Sequence, residues 1–96
     1  MRLSQYEIEC IKDLAVRHFG TDVSVYLFGS RTDDLQRGGD IDLFIRGGNA
    51  NIQTKLNFLT DLILKIGEQK IDVVLDKPDS VNPIFLKSIF QTGIRL

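Results

Sequence analysis

The chain has 96 residues, 12 of them basic and 13 acidic, with 43% hydrophobic and 26% charged side chains. That length is enough for one domain with a modest core, and the composition is that of a folded globular chain rather than a disordered one. A net charge of −1 argues against extended tracking along nucleic acid, which needs a cation for each neutralised phosphate. It leaves room for a small phosphorylated ligand held locally.

A lone cysteine, Cys10, excludes an internal disulfide and a cysteine metal knuckle; it reads as a half-buried thiol on a helix, without a role. The N-terminal stretch MRLSQYEIEC has no apolar signal core. No apolar run approaches the ~18 residues of a membrane span. The expected location is the cytoplasm.

In chain order, Ser4 and Glu7 form a capping-box pattern. Ile8, Ile11, Leu14, Ala15, His18 and Phe19 then recur at three- and four-residue spacing, which predicts a helix over 5–19 ended by Gly20. His18, on that face, reads as a packing or boundary residue. Residues 23–28 are β-branched and aromatic and predict a short buried strand. Residues 29–39 are polar and contain three glycines; they predict a turn, with one helical turn starting at Ser30.

From 40 to 45 the chain alternates. Asp40, Asp42 and Phe44 fall on one face, and Ile41, Leu43 and Ile45 on the other, as in a strand. A second amphipathic helix follows, marked by Ile52, Leu56, Leu59, Leu62, Ile63 and Ile66 and closed by Gly67. Residues 71–75 predict a third strand, with Asp72 and Val74 opposite Ile71, Val73 and Leu75. Ser80 is the expected cap of a last helix over 81–91, with Pro83 in its first turn and Ile84, Phe85, Ile89 and Phe90 as its buried stripe. Residues 94–96 read as an edge strand or a docking tail. The expected architecture is a single α/β (α+β) domain over residues 1–96, a small mixed sheet covered by helices in the order α-β-β-α-β-α.

Three features converge on one chemistry. Gly29-Ser30 directly follows a buried strand, Asp40-Ile41-Asp42 opens the next, and Asp72 interrupts the apolar third. Residues two apart in a strand point the same way, about 6.5–7 Å apart. Asp40 and Asp42 therefore place two carboxylates on one face, where they repel unless a cation lies between them. A hard divalent ion suits such oxygens together with substrate phosphates. If the third strand lies beside the second with matched facing, Asp72 joins them, and a pair of ions can then clamp the attacking and leaving oxygens of a displacement at phosphorus. Gly29 allows close approach of an anion to the backbone, the N–H groups of a following helical turn can point at it, and Ser30 and Arg31 offer further donors. Aspartate is disfavoured in strands, so its threefold recurrence marks a site.

Phe28-Gly29-Ser30-Arg31, nine residues between Ser30 and Asp40, then Asp40-Ile41-Asp42-Leu43 resemble the nucleotidyltransferase superfamily that includes DNA polymerase beta and kanamycin nucleotidyltransferase. The whole chain looks like its small stand-alone branch, the minimal nucleotidyltransferases. The resemblance implies transfer of a nucleoside monophosphate, AMP from ATP, to a hydroxyl, with release of pyrophosphate. It implies Mg²⁺ or Mn²⁺, two ions, held by Asp40, Asp42 and Asp72, which are also the expected catalytic residues. The triphosphate would lie on Gly29, Ser30 and Arg31. Small members of the branch act as antitoxins beside a helical HEPN-type toxin, which implies a protein partner, with a homo-oligomer as the alternative.

The chain departs from these relatives after Arg31. They carry Gly-Ser-Arg-Ala-Arg-Gly, whereas here Thr32-Asp33-Asp34 follows Gly29-Ser30-Arg31. That difference motivates a second reading, a catalytically silent module that neutralises or scaffolds a partner by contact. Phe44 would either floor a base pocket or pack beneath a helix. Arg37 and Arg46 flank the site segment and read as solvated charges, with phosphate contact the alternative. The apolar segment 84–96 is the candidate partner surface, unless it closes the core.

Overall fold

The computed structural model describes residues 3–29 and 40–96. Its elements are α1 (Gln5–Phe19), β1 (Ser24–Phe28), β2 (Ile41–Arg46), α2 (Ile52–Ile66), β3 (Ile71–Leu75), α3 (Pro83–Thr92) and β4 (Ile94–Arg95). The expected turn over 29–39 lies, beyond Gly29, outside the described residues.

The capping box at α1 is formed. The Glu7 N–H donates to Ser4 Oγ at 3.1 Å, and the Ser4 N–H donates to Glu7 Oε1 at 2.9 Å, satisfying orphan donors of the first turn. Asn51 does the same for α2, its Oδ1 accepting from the Thr54 N–H at 2.9 Å. The last helix is capped by Asn82, not Ser80. Asn82 Oδ1 accepts from the Phe85 N–H at 2.8 Å, and Pro83 takes the first helical position, where a missing N–H does no harm. Ser80 is spent on the preceding turn, with its N–H bonded to the Lys77 carbonyl at 2.9 Å.

The strands form one mixed sheet in the order β3-β2-β1-β4. β1 pairs antiparallel with β2 and with β4. β2 and β3 run parallel, the arrangement that a crossover helix such as α2 allows. The tail thus becomes an edge strand, with Leu27 opposite Ile94 and Tyr26 opposite Arg95.

One face of the sheet carries the main core. Val25, Leu27, Ile41, Leu43, Ile45, Val73 and Leu75 pack with Ile11, Leu14, Ala15 and Phe19 of α1 and Phe58 and Leu62 of α2. Each valine, leucine, isoleucine or phenylalanine side chain so removed from water contributes about 1.5–3 kcal/mol. α3 covers part of the other face through aromatic rings. Phe28 meets Phe85 at 5.5 Å between centroids, Tyr26 meets Phe90 at 5.5 Å, and Phe44 meets Phe90 at 6.3 Å, within the range for edge-to-face pairs. Phe44 is fully buried, so it packs beneath a helix rather than flooring a base pocket. Ile84 was expected in the buried stripe of α3, yet it is 82% exposed; the helix turns Phe85, Ile89 and Phe90 inward instead. None of the described helices is long and apolar enough to cross a membrane.

Candidate functional site

Two strands and one residue preceding them build the site. Asp40 stands just before β2, Asp42 is the second residue of β2, and Asp72 is the second residue of β3. The parallel register sets Asp42 directly beside Asp72 and Ile41 beside Ile71. The two carboxylates share the sheet face that α3 only partly covers, because adjacent strands lie about 4.8 Å apart and paired residues face the same way. Asp40, two residues before Asp42, falls on that face as well. One carboxylate oxygen from each of the three lies within 4.8 Å of the other two.

Gly29 closes the group from the β1 side. Phe28 is paired with Asp42, so the chain leaves β1 next to that carboxylate. Gly29 has φ +77°, and the space a Cβ would fill there is taken by Asp42 Oδ2 and Cγ. A residue with a side chain would face both backbone strain and a collision. The glycine is thus accounted for by Asp42 itself. Ser30, Arg31 and Arg37 lie outside the described residues.

Electrostatically the site is short of positive charge. The Asp42 carboxyl is held above the ordinary carboxylate range, first by burial and then by the charges of Asp72 and Asp40 and a hydrogen bond with Asp72; Lys70 pulls the other way. Three acidic groups with one common focus favour a cation between them, and the donor set, all carboxylate oxygen, suits a hard ion such as Mg²⁺ or Mn²⁺. The three aspartates could hold such an ion.

Lys70 belongs to the site and was not singled out from the sequence. Its Nζ lies 3.3 Å from Asp40 Oδ2, and this hydrogen bond and the charge of Asp40 raise the ammonium above its ordinary value. The available signal was its place two residues before Asp72, which gives it the same facing. A cleft of about 550 Å³ opens beside Asp42 and Asp72, lined also by Phe28, Phe85, Ile71, Val73 and Val74, with Lys55 and Leu59 of α2. Lys55 and Leu59 come from α2, the helix that links β2 to β3, and no motif marks them as cleft residues.

The remaining candidates lie elsewhere. His18 Nε2 sits 2.7 Å from Asp61 Oδ2 and stands edge-on to Phe58; it ties α1 to α2, as a boundary residue does. Arg46 pairs with Asp76 at 3.4 Å and lies 4.8 Å over the Phe90 ring, so it braces α3 against β2. Cys10 is a free, partly buried thiol.

No curated protein matches the chain. The family described as Polymerase beta, Nucleotidyltransferase matches residues 9–96. That span runs from the first turns of α1 to the last residue and includes Gly29, all three aspartates and Lys70. The match thus covers nearly the whole chain, and the chain belongs to the polymerase beta nucleotidyltransferase family.

Proposed function

We propose that residues 1–96 form one metal-dependent nucleotidyltransferase domain that acts in the cytoplasm and moves a nucleoside monophosphate, AMP from ATP, onto a hydroxyl. The observation that carries this reading is the parallel register that sets Asp42 beside Asp72, with Asp40 on the same face. Asp40, Asp42 and Asp72 would hold Mg²⁺ or Mn²⁺, two ions in the loaded enzyme. When bound, such ions neutralise charge on the triphosphate and on the oxygens entering and leaving phosphorus.

The chain's own residues supply orientation and a proton acceptor. Gly29, Ser30 and Arg31 would meet the triphosphate. Asp72, the most exposed of the three carboxylates, would accept the proton of the acceptor hydroxyl. The acceptor oxygen then bonds to the α-phosphorus, the bond from that phosphorus to the oxygen bridging toward the β-phosphorus breaks, and pyrophosphate leaves. The cleft beside Asp72 follows β3, which among the described residues pairs on one side only, and this supports an acceptor that reaches the site from outside the chain.

Together with the resemblance to the small stand-alone branch, this supports an acceptor on a helical HEPN-type partner and an antitoxin role. The second reading, a catalytically silent module that binds a partner by contact, is favoured by Thr32-Asp33-Asp34, which replaces the basic stretch of the relatives. Incubation with ATP labelled at the α-phosphate, Mg²⁺ and the partner separates the two. Label on the partner that disappears in Asp42→Asn supports transfer. A complex that forms and stays unlabelled supports the silent module.

A further inference from the structure

Lys70 is tied to the triad twice. Its carbonyl accepts the Ile41 N–H at 3.0 Å, which anchors its backbone to the strand bearing Asp42. Its Nζ stands 3.3 Å from Asp40 Oδ2. Among the described residues it is the one cation paired with a member of the triad, and that member is Asp40. Its side chain is nevertheless 72% exposed, so the head group can leave without disturbing any packing.

An ammonium at that distance occupies a carboxylate oxygen that a metal ion would use and repels the incoming ion. We propose that Lys70 is a built-in rival of the divalent cation, holding the charge of the triad until a polyphosphate draws the ammonium away. The inference rests on the metal-site reading above and adds a coupling to it. Bare metal binds weakly because it must displace Lys70. Metal with a triphosphate binds better, because the phosphate oxygens give the released ammonium a new partner. The rivalry is mild, since an exposed ion pair is worth little; it tunes loading and does not block it. Lys70 acts through the metal ligands and is therefore a positioning residue.

The test measures Mn²⁺ affinity from the spin-resonance signal of the free ion, with and without α,β-methylene-ATP, for the wild type, Lys70→Met, Lys70→Arg and Asp42→Asn. Lys70→Met is expected to bind Mn²⁺ alone about fivefold more tightly than the wild type, the scale set by losing one exposed charge contact to a divalent ion. Lys70→Arg keeps the charge and should stay close to the wild type. The nucleotide should tighten Mn²⁺ binding more in the wild type than in Lys70→Met. Thermal melts check that each variant is folded.

Wild-type binding that is lost in Asp42→Asn but equal or weaker in Lys70→Met overturns the rivalry and leaves the metal site standing. Wild-type binding below the detection range alongside measurable binding by Lys70→Met supports a rivalry stronger than about fivefold. Absence of Mn²⁺ binding in the wild type and in both Lys70 variants at millimolar ion overturns the metal-site reading and the rivalry together.

Discussion

The carboxylate of Asp42 occupies the space that a Cβ on Gly29 would need. Gly29-Ser30 and Asp40-Ile41-Asp42 are separate stretches of sequence, yet at this point they are one construction. The glycine is required by the position of the aspartate as well as by its own φ of +77°. Gly29→Ala should therefore act on both. Left-handed backbone alone costs an ordinary residue about 1–2 kcal/mol, which lowers the melting temperature of a domain this size by roughly 5–15 °C. Displacing Asp42 should also weaken metal binding, and a melt paired with an Mn²⁺ titration reads both effects.

Asp42→Asn should have opposite effects on stability and activity. The Asp42 carboxyl sits above the ordinary carboxylate range because of burial and the neighbouring Asp72 and Asp40. For a raised acid the folded state binds the proton more readily than the unfolded state. The charged carboxylate is then a full liability above the raised pKa, and that liability fades as pH falls through the raised value toward the ordinary one. Without metal, Asp42→Asn should melt a few degrees higher than the wild type at neutral pH, on the order of 0.5 kcal/mol for a screened repulsion. The gap should close under acid conditions. Nucleotidyl transfer should fall by orders of magnitude. Melting curves from neutral to acid pH, with a transfer assay alongside, check both.

Divalent ions should stabilise the wild type. A ligand held only by the folded state adds about 2.7 kcal/mol at a hundred times its dissociation constant. Mg²⁺ should raise the melting temperature by several degrees, EDTA should reverse the rise, and Asp40→Asn/Asp42→Asn should show neither change.

Phe90 closes the aromatic layer over Phe44 and Tyr26 and carries the Arg46 guanidinium on its face. Phe90→Ala should destabilise the protein by about 2 kcal/mol, below the usual range for a buried phenylalanine because the residue is 42% exposed. Chemical denaturation measures it, and α3 should become the region most open to hydrogen exchange.

His18 should be separable from the chemistry. It bridges α1 to Asp61 of α2, on the layer opposite the aspartates. His18→Asn should cost about 1 kcal/mol of stability, the worth of a side-chain hydrogen bond, while Mg²⁺-ATP binding stays at the wild-type level by calorimetry.

Much of this could be read along the chain wherever local chemistry decides. Ser4 with Glu7 marked the start of α1, and the bounds of α2 and β3 follow their periodicity residue for residue. At the last helix Ser80 was the expected cap and Asn82 is the one that forms, because Pro83 tolerates more than one place in a first turn and Ser80 belongs to the turn on Lys77. The facing of Asp72 was legible only as a condition, since alternation gives the face of a strand but not its neighbour. The register of β2 with β3 met that condition. Lys70, two residues before Asp72, was not singled out, because its partner Asp40 lies on a different segment of the chain. Lys55, Leu59 and Phe85 reach the cleft through the packing of α2 and α3 around the sheet, which no local period encodes. Arg46 read as a solvated charge because neither Asp76 nor Phe90 lies near it in sequence.

Whether the three aspartates form a metal-dependent nucleotide site is decided by calorimetric titration of the protein with Mg²⁺-ATP, repeated with EDTA and with Asp40→Asn/Asp42→Asn. Saturable binding that disappears with EDTA and in the double variant, while the fold persists, is the expected result. Binding that survives both, or none up to millimolar nucleotide with the fold intact, would contradict it.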